Sequence, residues 1–285
     1  MSSWTHLIRF VAIEDAKTYL GQLVDTARDI GIDSLNEIPI YAFVVEGSIY
    51  NGRVTDRRLQ IGKILSPIDP QECPYIRCIG LNYKRHAEEG KLPIPGVPAL
   101  FSKPRTALVD PFPESIRIPE IAQDGTSDYE AELAVVIVKT ARDISAEEAP
   151  EYILGYTAAN DVSARAIQMK SAMPSFSKGM DCSCPLGPVL VAPKVITNPQ
   201  NLSIKATYNN KIVQDGNTSD MIFGVYELVA YLSQGTTLEP GSIVLTGTPE
   251  GIGYFQSPRI FLNHEDTIEV SIERIGTLSN KVFYE

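Results

Sequence analysis

The hydrophobic pattern of this chain is strongest over 133–138, where Leu-Ala-Val-Val-Ile-Val follows an alternation of acidic and apolar residues: Asp128, Tyr129, Glu130, Ala131, Glu132. Period-two spacing puts Glu130 and Glu132 on one face of a single strand, at the mouth of an apolar β-branched run. The same reading predicts strands over 6–12, 38–47, 59–65, 75–83, 156–163, 189–192, 202–208, 211–215, 242–246, 267–272 and 281–284. Asn209-Asn210 marks a hairpin-type turn. Helices are predicted over 84–90, closed by Gly90, over 145–153 from the capping pair Ser145 and Glu148, over 164–168, and over 221–232. Residues 16–30 read as a connection, and 91–98, with Pro93, Pro95 and Pro98, as a loop suited to a lid. Residues 177–188 read as a loop by composition. The strand at 242–246 empties into Gly247-Thr248-Pro249-Glu250-Gly251-Ile252-Gly253, a loop with free backbone amides. It has neither the lysine nor the following helix of a phosphate loop.

These elements predict a predominantly β fold with flanking helices (α+β). Pro67, Pro70 and Pro74 mark the best linker, which divides a small N-terminal β-rich domain over 1–70 from a larger domain over 71–285.

With 285 residues and 44% apolar content, the chain buries a sizeable core, while a formal net charge of -10 without a basic cluster argues against nucleic acid. No apolar run approaches the roughly 20 residues of a membrane span, so no membrane partner is expected. Residues 1–9 hold no secretory core, and Glu14, Asp15 and Asp25 close behind are unlike a basic transit segment, which makes a cytoplasmic location the expectation. Cys73, Cys78, Cys182 and Cys184 form two close pairs without the histidines of a zinc site, and are read as reduced, packed thiols.

Several residues invite chemistry. Like charges entering a core need a cation between them, so Glu130 and Glu132 point to a divalent metal, unless they form a solvated strand edge. Asp161, at the end of the strand over 156–163, is placed to be a third oxygen ligand or a helix cap. His86 and Glu89 are adjacent on a helical face and can share a proton or a water, though such pairs are often surface decoration. Lys178 stands alone in its loop and by itself reads as solvent-facing.

Taken in order, Gly80-Leu81-Asn82-Tyr83 with His86 and Glu89, Asp128-Tyr129-Glu130-Ala131-Glu132-Leu133, Asn160-Asp161-Val162-Ser163-Ala164-Arg165 with Gln168, Lys178 before Cys184-Pro185, and Thr246-Gly247-Thr248-Pro249-Glu250-Gly251 resemble the fumarylacetoacetate hydrolase superfamily. The short N-terminal unit resembles that of the fumarylacetoacetate hydrolase domain-containing branch. The resemblance implies a mixed β-sandwich roll, a homodimer, and a Mg2+ or Mn2+ site made by Glu130, Glu132 and Asp161. An all-carboxylate set suits a hard cation. The resemblance further implies His86 and Glu89 as a lid-borne base pair, Lys178 as a cationic catalytic group, and Arg165, Gln168 and Thr248 as substrate-binding residues. Pro174 replaces a tryptophan common in relatives, and Cys182 a threonine. The implied activity is metal-dependent C–C cleavage of a small 2-oxo or 1,3-dicarbonyl acid through a stabilised enolate, as in an acylpyruvate hydrolase or oxaloacetate decarboxylase. The same chemistry admits an oxaloacetate tautomerase, and a non-catalytic metal- or metabolite-binding protein is the alternative of another class.

Overall fold

The computed structural model describes residues 3–171 and 173–285. In chain order the strands are β1 (His6–Ala12), β2 (Thr18–Leu23), β3 (Tyr41–Glu46), β4 (Arg53–Leu65), β5 (Ile76–Gly80), β6 (Ala99–Lys103), β7 (Leu108–Val109), β8 (Ser115–Ile118) and β9 (Ser127–Asp128). They continue as β10 (Ala131–Ile137), β11 (Ile153–Asn160), β12 (Ser163–Ala164), β13 (Cys184–Val191), β14 (Ser203–Tyr208), β15 (Lys211–Asn217), β16 (Ile243–Leu245), β17 (Thr267–Ile272) and β18 (Gly276–Tyr284). The helices are α1 (Ile30–Leu35), α2 (Lys84–Glu89), α3 (Arg165–Gln168), α4 (Ser175–Lys178) and α5 (Val225–Ser233).

β10 sits inside a large sheet ordered β2-β3-β4-β1-β13-β11-β10-β16-β5-β6, whose β16–β5 pair is parallel. A second sheet, β15-β14-β17-β18-β8, packs on it: Ile204, Ala206, Ile268 and Val270 share one core with Leu133, Val135 and Val191. The opposite face of β10 sends Ala134 and Val136 into a second cluster with Ile76, Cys78 and Leu245. Burial on both faces explains why the pattern of this strand runs continuously apolar instead of alternating. The result is a sandwich of mixed sheets with short flanking helices, as the resemblance implied.

β1 joins the same sheet by pairing His6 with Val191 and Leu7 with Leu190 of β13. Trp4 is fully buried in the cluster that holds Leu190 and Cys184, and its indole N–H donates to the Ile49 carbonyl at 3.0 Å.

Three stretches differ from the sequence-based expectation. Residues 16–30 contain β2, whose weak alternation reflects half-buried Tyr19 and Leu20 beside Gly21; a Cβ there would come 2.7 Å from the Phe10 ring. The capping pair of 145–153 forms, with Ser145 N–H on Glu148 Oε2 at 2.9 Å and Glu148 N–H on Ser145 Oγ at 3.3 Å, but it opens only the single 3-10 turn Ala149–Tyr152. Tertiary pairing takes the chain from Ile153 onward for β11, with Gly155 against Val191 of β13. The stretch 177–188, read as a loop, instead ends α4 at Lys178 and enters the buried strand β13 at Cys184. Its Gly187 and Pro188 fall at an irregularity of the β11–β13 pairing, which hid the strand in the composition. Among the described residues no helix is long and apolar enough to cross a membrane.

Candidate active site

Two strand ends build the floor of the site. β10 and β11 pair in register with Ala131 opposite Asn160 and Glu132 opposite Ala159. Beyond the last pair, Asp161 N–H donates to the Glu130 carbonyl at 2.9 Å, and Glu130 N–H donates to Asn160 Oδ1 at 3.0 Å. These bonds hold Glu130, Glu132 and Asp161 so that one oxygen from each lies within 4.8 Å of the others. All three carboxylates are buried, at 6%, 1% and 0% exposure respectively.

Their electrostatics differ. Lys178 Nζ bridges Glu130 Oε2 and Asp161 Oδ2, 2.7 Å from each. Arg165 Nη2 lies 2.7 Å from Glu130 Oε1. Burial would raise the Glu130 carboxyl, but Lys178 and Arg165 outweigh it and hold it below the ordinary range. Glu132 accepts only the Gly247 N–H, at 2.6 Å, and no lysine or arginine contacts it among the described residues. Burial, with Asp161 and Glu130 nearby, pushes its carboxyl well above the ordinary range. Asp161 Oδ1 lies 2.7 Å from Lys103 Nζ but outside hydrogen-bonding angles, so this buried oxygen has no hydrogen bond among the described residues.

A buried carboxylate without a cation, Glu132, in an all-oxygen donor set fits a hard divalent ion. Glu130, Glu132 and Asp161 are the residues that could hold it.

The loop after β16 supplies amides to three acids. Besides Gly247, its Gly251 N–H meets both Glu89 oxygens at 3.1 Å, and its Gly253 N–H meets Asp128 Oδ1 at 2.8 Å. Asp128 Oδ2 also accepts from Tyr254 N–H at 3.0 Å and Arg165 Nε at 2.8 Å. Burial pushes the Asp128 carboxyl up, and Arg165 opposes it. Glu89, so oriented, places Oε2 3.2 Å from His86 Nδ1. His86 packs its ring on Phe255 at 5.8 Å between centroids.

A cleft of about 280 Å³ brings His86, Glu130, Arg165, Gln168, Lys178 and Thr248 to one surface. Gln168 Oε1 accepts from Arg165 Nη1 at 3.0 Å, and the Thr248 hydroxyl accepts from Gln214 Nε2 at 2.8 Å. Lys178, expected by its own stretch to face solvent, is only 4% exposed. Its helix turn keeps Phe176 exposed and turns Ser177 and Lys178 inward; two facing carboxylates are the partners that the local pattern does not show.

Sequence reasoning missed Lys103, fully buried, whose Nζ also donates to the carbonyls of Lys178 and, at 2.9 Å, Ser183. Its only signal was a charged residue at the end of an apolar strand. Gln214 was likewise missed; its Oε1 accepts from Ala131 N–H at 2.9 Å while its amide holds Thr248. Cys182 lies off this cleft, with Arg117 Nε 3.3 Å from its sulfur, and Pro174 precedes α4.

Fold and site together define a protein of two packed mixed sheets with a carboxylate floor, crossed by lysine and arginine, under a molecule-sized cleft. The chain belongs to the fumarylacetoacetate hydrolase family: residues 75–283 match its fumarylacetoacetate (FAA) hydrolase C-terminal description. It is 39% identical over 289 residues to the caffeoylpyruvate hydrolase of Neonothopanus nambi, covering 99% of this chain and 94% of that one. It is 43% identical over 221 residues to the mitochondrial oxaloacetate tautomerase fahd2 of Xenopus laevis, covering 77% and 68%. A 2-hydroxyhepta-2,4-diene-1,7-dioate isomerase from Mycobacterium marinum superposes with TM-score 0.81 at 30% identity over 99% of both chains. Fumarylpyruvate hydrolase from Pseudomonas aeruginosa, solved with Mn2+ and pyruvate, gives TM-score 0.67 at 31% identity over 75% of this chain and 91% of that one.

Proposed function

We propose that this chain is a divalent-cation-dependent hydrolase that cleaves an acylpyruvate-type 2-oxo acid at the bond between the acyl carbonyl carbon and the pyruvate methylene. The observation carrying the reading is the convergence, in one cleft, of a histidine held by a carboxylate and a lysine held between two buried acids. Similarity to the caffeoylpyruvate hydrolase, and to a fumarylpyruvate hydrolase that binds Mn2+ and pyruvate, supports it.

Held by Glu130, Glu132 and Asp161, Mg2+ or Mn2+ would supply a Lewis acid that stabilises negative charge on the oxygens of a 2-oxo acid. His86 takes a proton from water, with Glu89 across Nδ1 fixing the ring and stabilising its positive charge. The oxygen of that water bonds to the acyl carbonyl carbon. The C–C bond then breaks with its electron pair passing to the pyruvate half, and return of the proton held on His86 to that carbon releases pyruvate beside the carboxylic acid. Lys178 places positive charge where that electron density collects. Gln168 and Thr248 offer polar groups to the substrate carboxylate, and Arg165, anchored by Asp128, keeps Glu130 aligned by direct contact.

A second reading, oxaloacetate tautomerisation, is favoured by the Xenopus relative, and needs only His86 to move a proton on carbon. Assays of acetylpyruvate and oxaloacetate with Mn2+, with Mg2+ and with chelator separate the possibilities by pyruvate release, carbon dioxide release and tautomer absorbance. Metal-dependent pyruvate release from acetylpyruvate is the expected result, with Asp161→Ala losing both turnover and calorimetric Mn2+ binding. A tautomer signal alone selects the second reading, and carbon dioxide release selects a decarboxylase. Full metal binding with none of these activities leaves a binding protein.

A further inference from the structure

The second sheet reaches the site through Gln214. This residue of the edge strand β15 is 1% exposed and lies against the loop that follows β16. The two backbones come close on either side of it: a Cβ at Gly216 would come 2.6 Å from Pro249 Cβ, and one at Gly251 would strike the Val213 carbonyl. Glycine at both places lets the Gln214 amide span from the loop to β10.

Backbone groups fix which way that amide points. Ala131 N–H donates to Oε1 at 2.9 Å, so this atom is the acceptor, and the Pro249 carbonyl accepts from Nε2 at 2.9 Å, so that atom is the donor. The other Nε2 hydrogen goes to Thr248 Oγ1 at 2.8 Å. An amide nitrogen only donates, so Thr248 offers Gln214 a lone pair and keeps its own hydroxyl hydrogen. Among the described residues no acceptor takes that hydrogen, and Thr248, 3% exposed, lines the cleft. A buried O–H without an acceptor is costly, and an anionic oxygen in the cleft removes the cost.

We infer that Gln214 is a positioning residue that locks the Thr248 hydroxyl as a hydrogen-bond donor toward the carboxylate of a bound 2-oxo acid. The inference rests on the acylpyruvate reading above, in which Thr248 meets that carboxylate. The bonds run in one direction, from Ala131 N–H into the amide, from the amide into the hydroxyl, and from the hydroxyl to the ligand, so each polarises the next. A hydroxyl left free to rotate could turn a lone pair toward the anion; the Gln214 amide removes that repulsive alternative. The chain starts between Glu130 and Glu132, which ties the carboxylate contact to the strand that carries two of the proposed cation ligands.

The test uses pyruvate as the probe, bound to the Mn2+-loaded protein and followed by calorimetry. Gln214→Met, of similar length but without donor or acceptor, is expected to weaken pyruvate binding about tenfold, and so is Thr248→Val, as loss of one hydrogen bond to a charged group does. Because Gln214 acts through the hydroxyl, the two substitutions together are expected to weaken binding no further than Thr248→Val alone. Thr248→Ser keeps the hydroxyl and is expected to hold the affinity within about threefold. Mn2+ affinity of Gln214→Met is expected to stay within about threefold of the unaltered chain, and in turnover of acetylpyruvate its KM is expected to rise about tenfold while kcat changes less than about threefold. Additive losses of pyruvate affinity, or a loss of Mn2+ affinity that matches the loss of pyruvate, make Gln214 a structural residue and overturn the inference. Equal affinities of Thr248→Ser and Thr248→Val overturn it without any change at Gln214. Failure of the unaltered, Mn2+-loaded chain to release pyruvate from acetylpyruvate overturns the acylpyruvate reading instead, since pyruvate binding and its dependence on Gln214 are read separately.

Discussion

A lysine without solvent contact needs partners for its charge, and Lys103 finds Asp161 on one side and a ring of carbonyls on the other. Those carbonyls belong to the segments carrying Asp161 and Lys178, so one ammonium ties together the two strand-end turns that face each other across the site. Lys103→Met is expected to lower the unfolding free energy by about 3–5 kcal/mol, because it leaves the Asp161 charge buried with one fewer cation. Urea denaturation monitored by far-UV circular dichroism measures it, and an unchanged midpoint and slope would show that Asp161 does not depend on Lys103. Glu130 and Glu132 were legible in the sequence because charge at the mouth of an apolar run is anomalous by itself. Lys103 was not, because a single lysine ending a short strand looks the same whether its head reaches water or a buried carboxylate.

Among the elements, the loop over 246–253 does the most for the site with the fewest side chains. Its glycine content was readable, and so was the surplus of backbone N–H groups; what the sequence did not show was their destination in Glu132, Glu89 and Asp128. Gly247 makes this concrete. Its φ is +93°, and a Cβ would come 2.7 Å from Asn82 Cβ, while the Asn82 amide pins the loop by donating to the Thr246 carbonyl at 2.8 Å. Gly247→Ala therefore has to move the amide that holds Glu132. It is expected to weaken Mn2+ binding about 10–100-fold, as loss of a group that orients a ligand does, without removing any carboxylate. Gly235→Ala is the control: φ is +66° there, but nothing lies within 4 Å, so it carries similar backbone strain and leaves Mn2+ affinity unchanged in calorimetry. Equal effects of the two substitutions would reduce the role of Gly247 to general stability. Strands with one clear apolar face, β14 and β17, were legible by alternation. β2 and the first half of β13 were not, since glycine and proline inside them serve close strand packing and irregular pairing that only the neighbouring strands define.

Across the whole molecule, the large sheet draws strands from both sides of the proline-rich stretch near residue 70. The prolines near residue 70 mark a change of segment, yet β1 continues the large sheet through β13, and the Trp4 side chain lies in the same apolar cluster as Leu186, Ile243 and Leu245. Unfolding residues 3–65 alone would expose that cluster and leave the β13 edge unpaired. Leu7 and Trp4 contact a core whose other members reach into β10 and β16, the strands that position Glu132 and its Gly247 amide. Cooperative loss of both parts is therefore expected. The chain has one tryptophan, and it is this buried Trp4, so its emission reports on how the N-terminal segment packs against that cluster. In guanidinium, Trp4 fluorescence, far-UV circular dichroism and Mn2+ binding are expected to change in a single transition with one midpoint. A fluorescence midpoint at clearly lower denaturant, with metal binding retained, would instead show that residues 1–70 unfold as an independent unit and that the site stands without them.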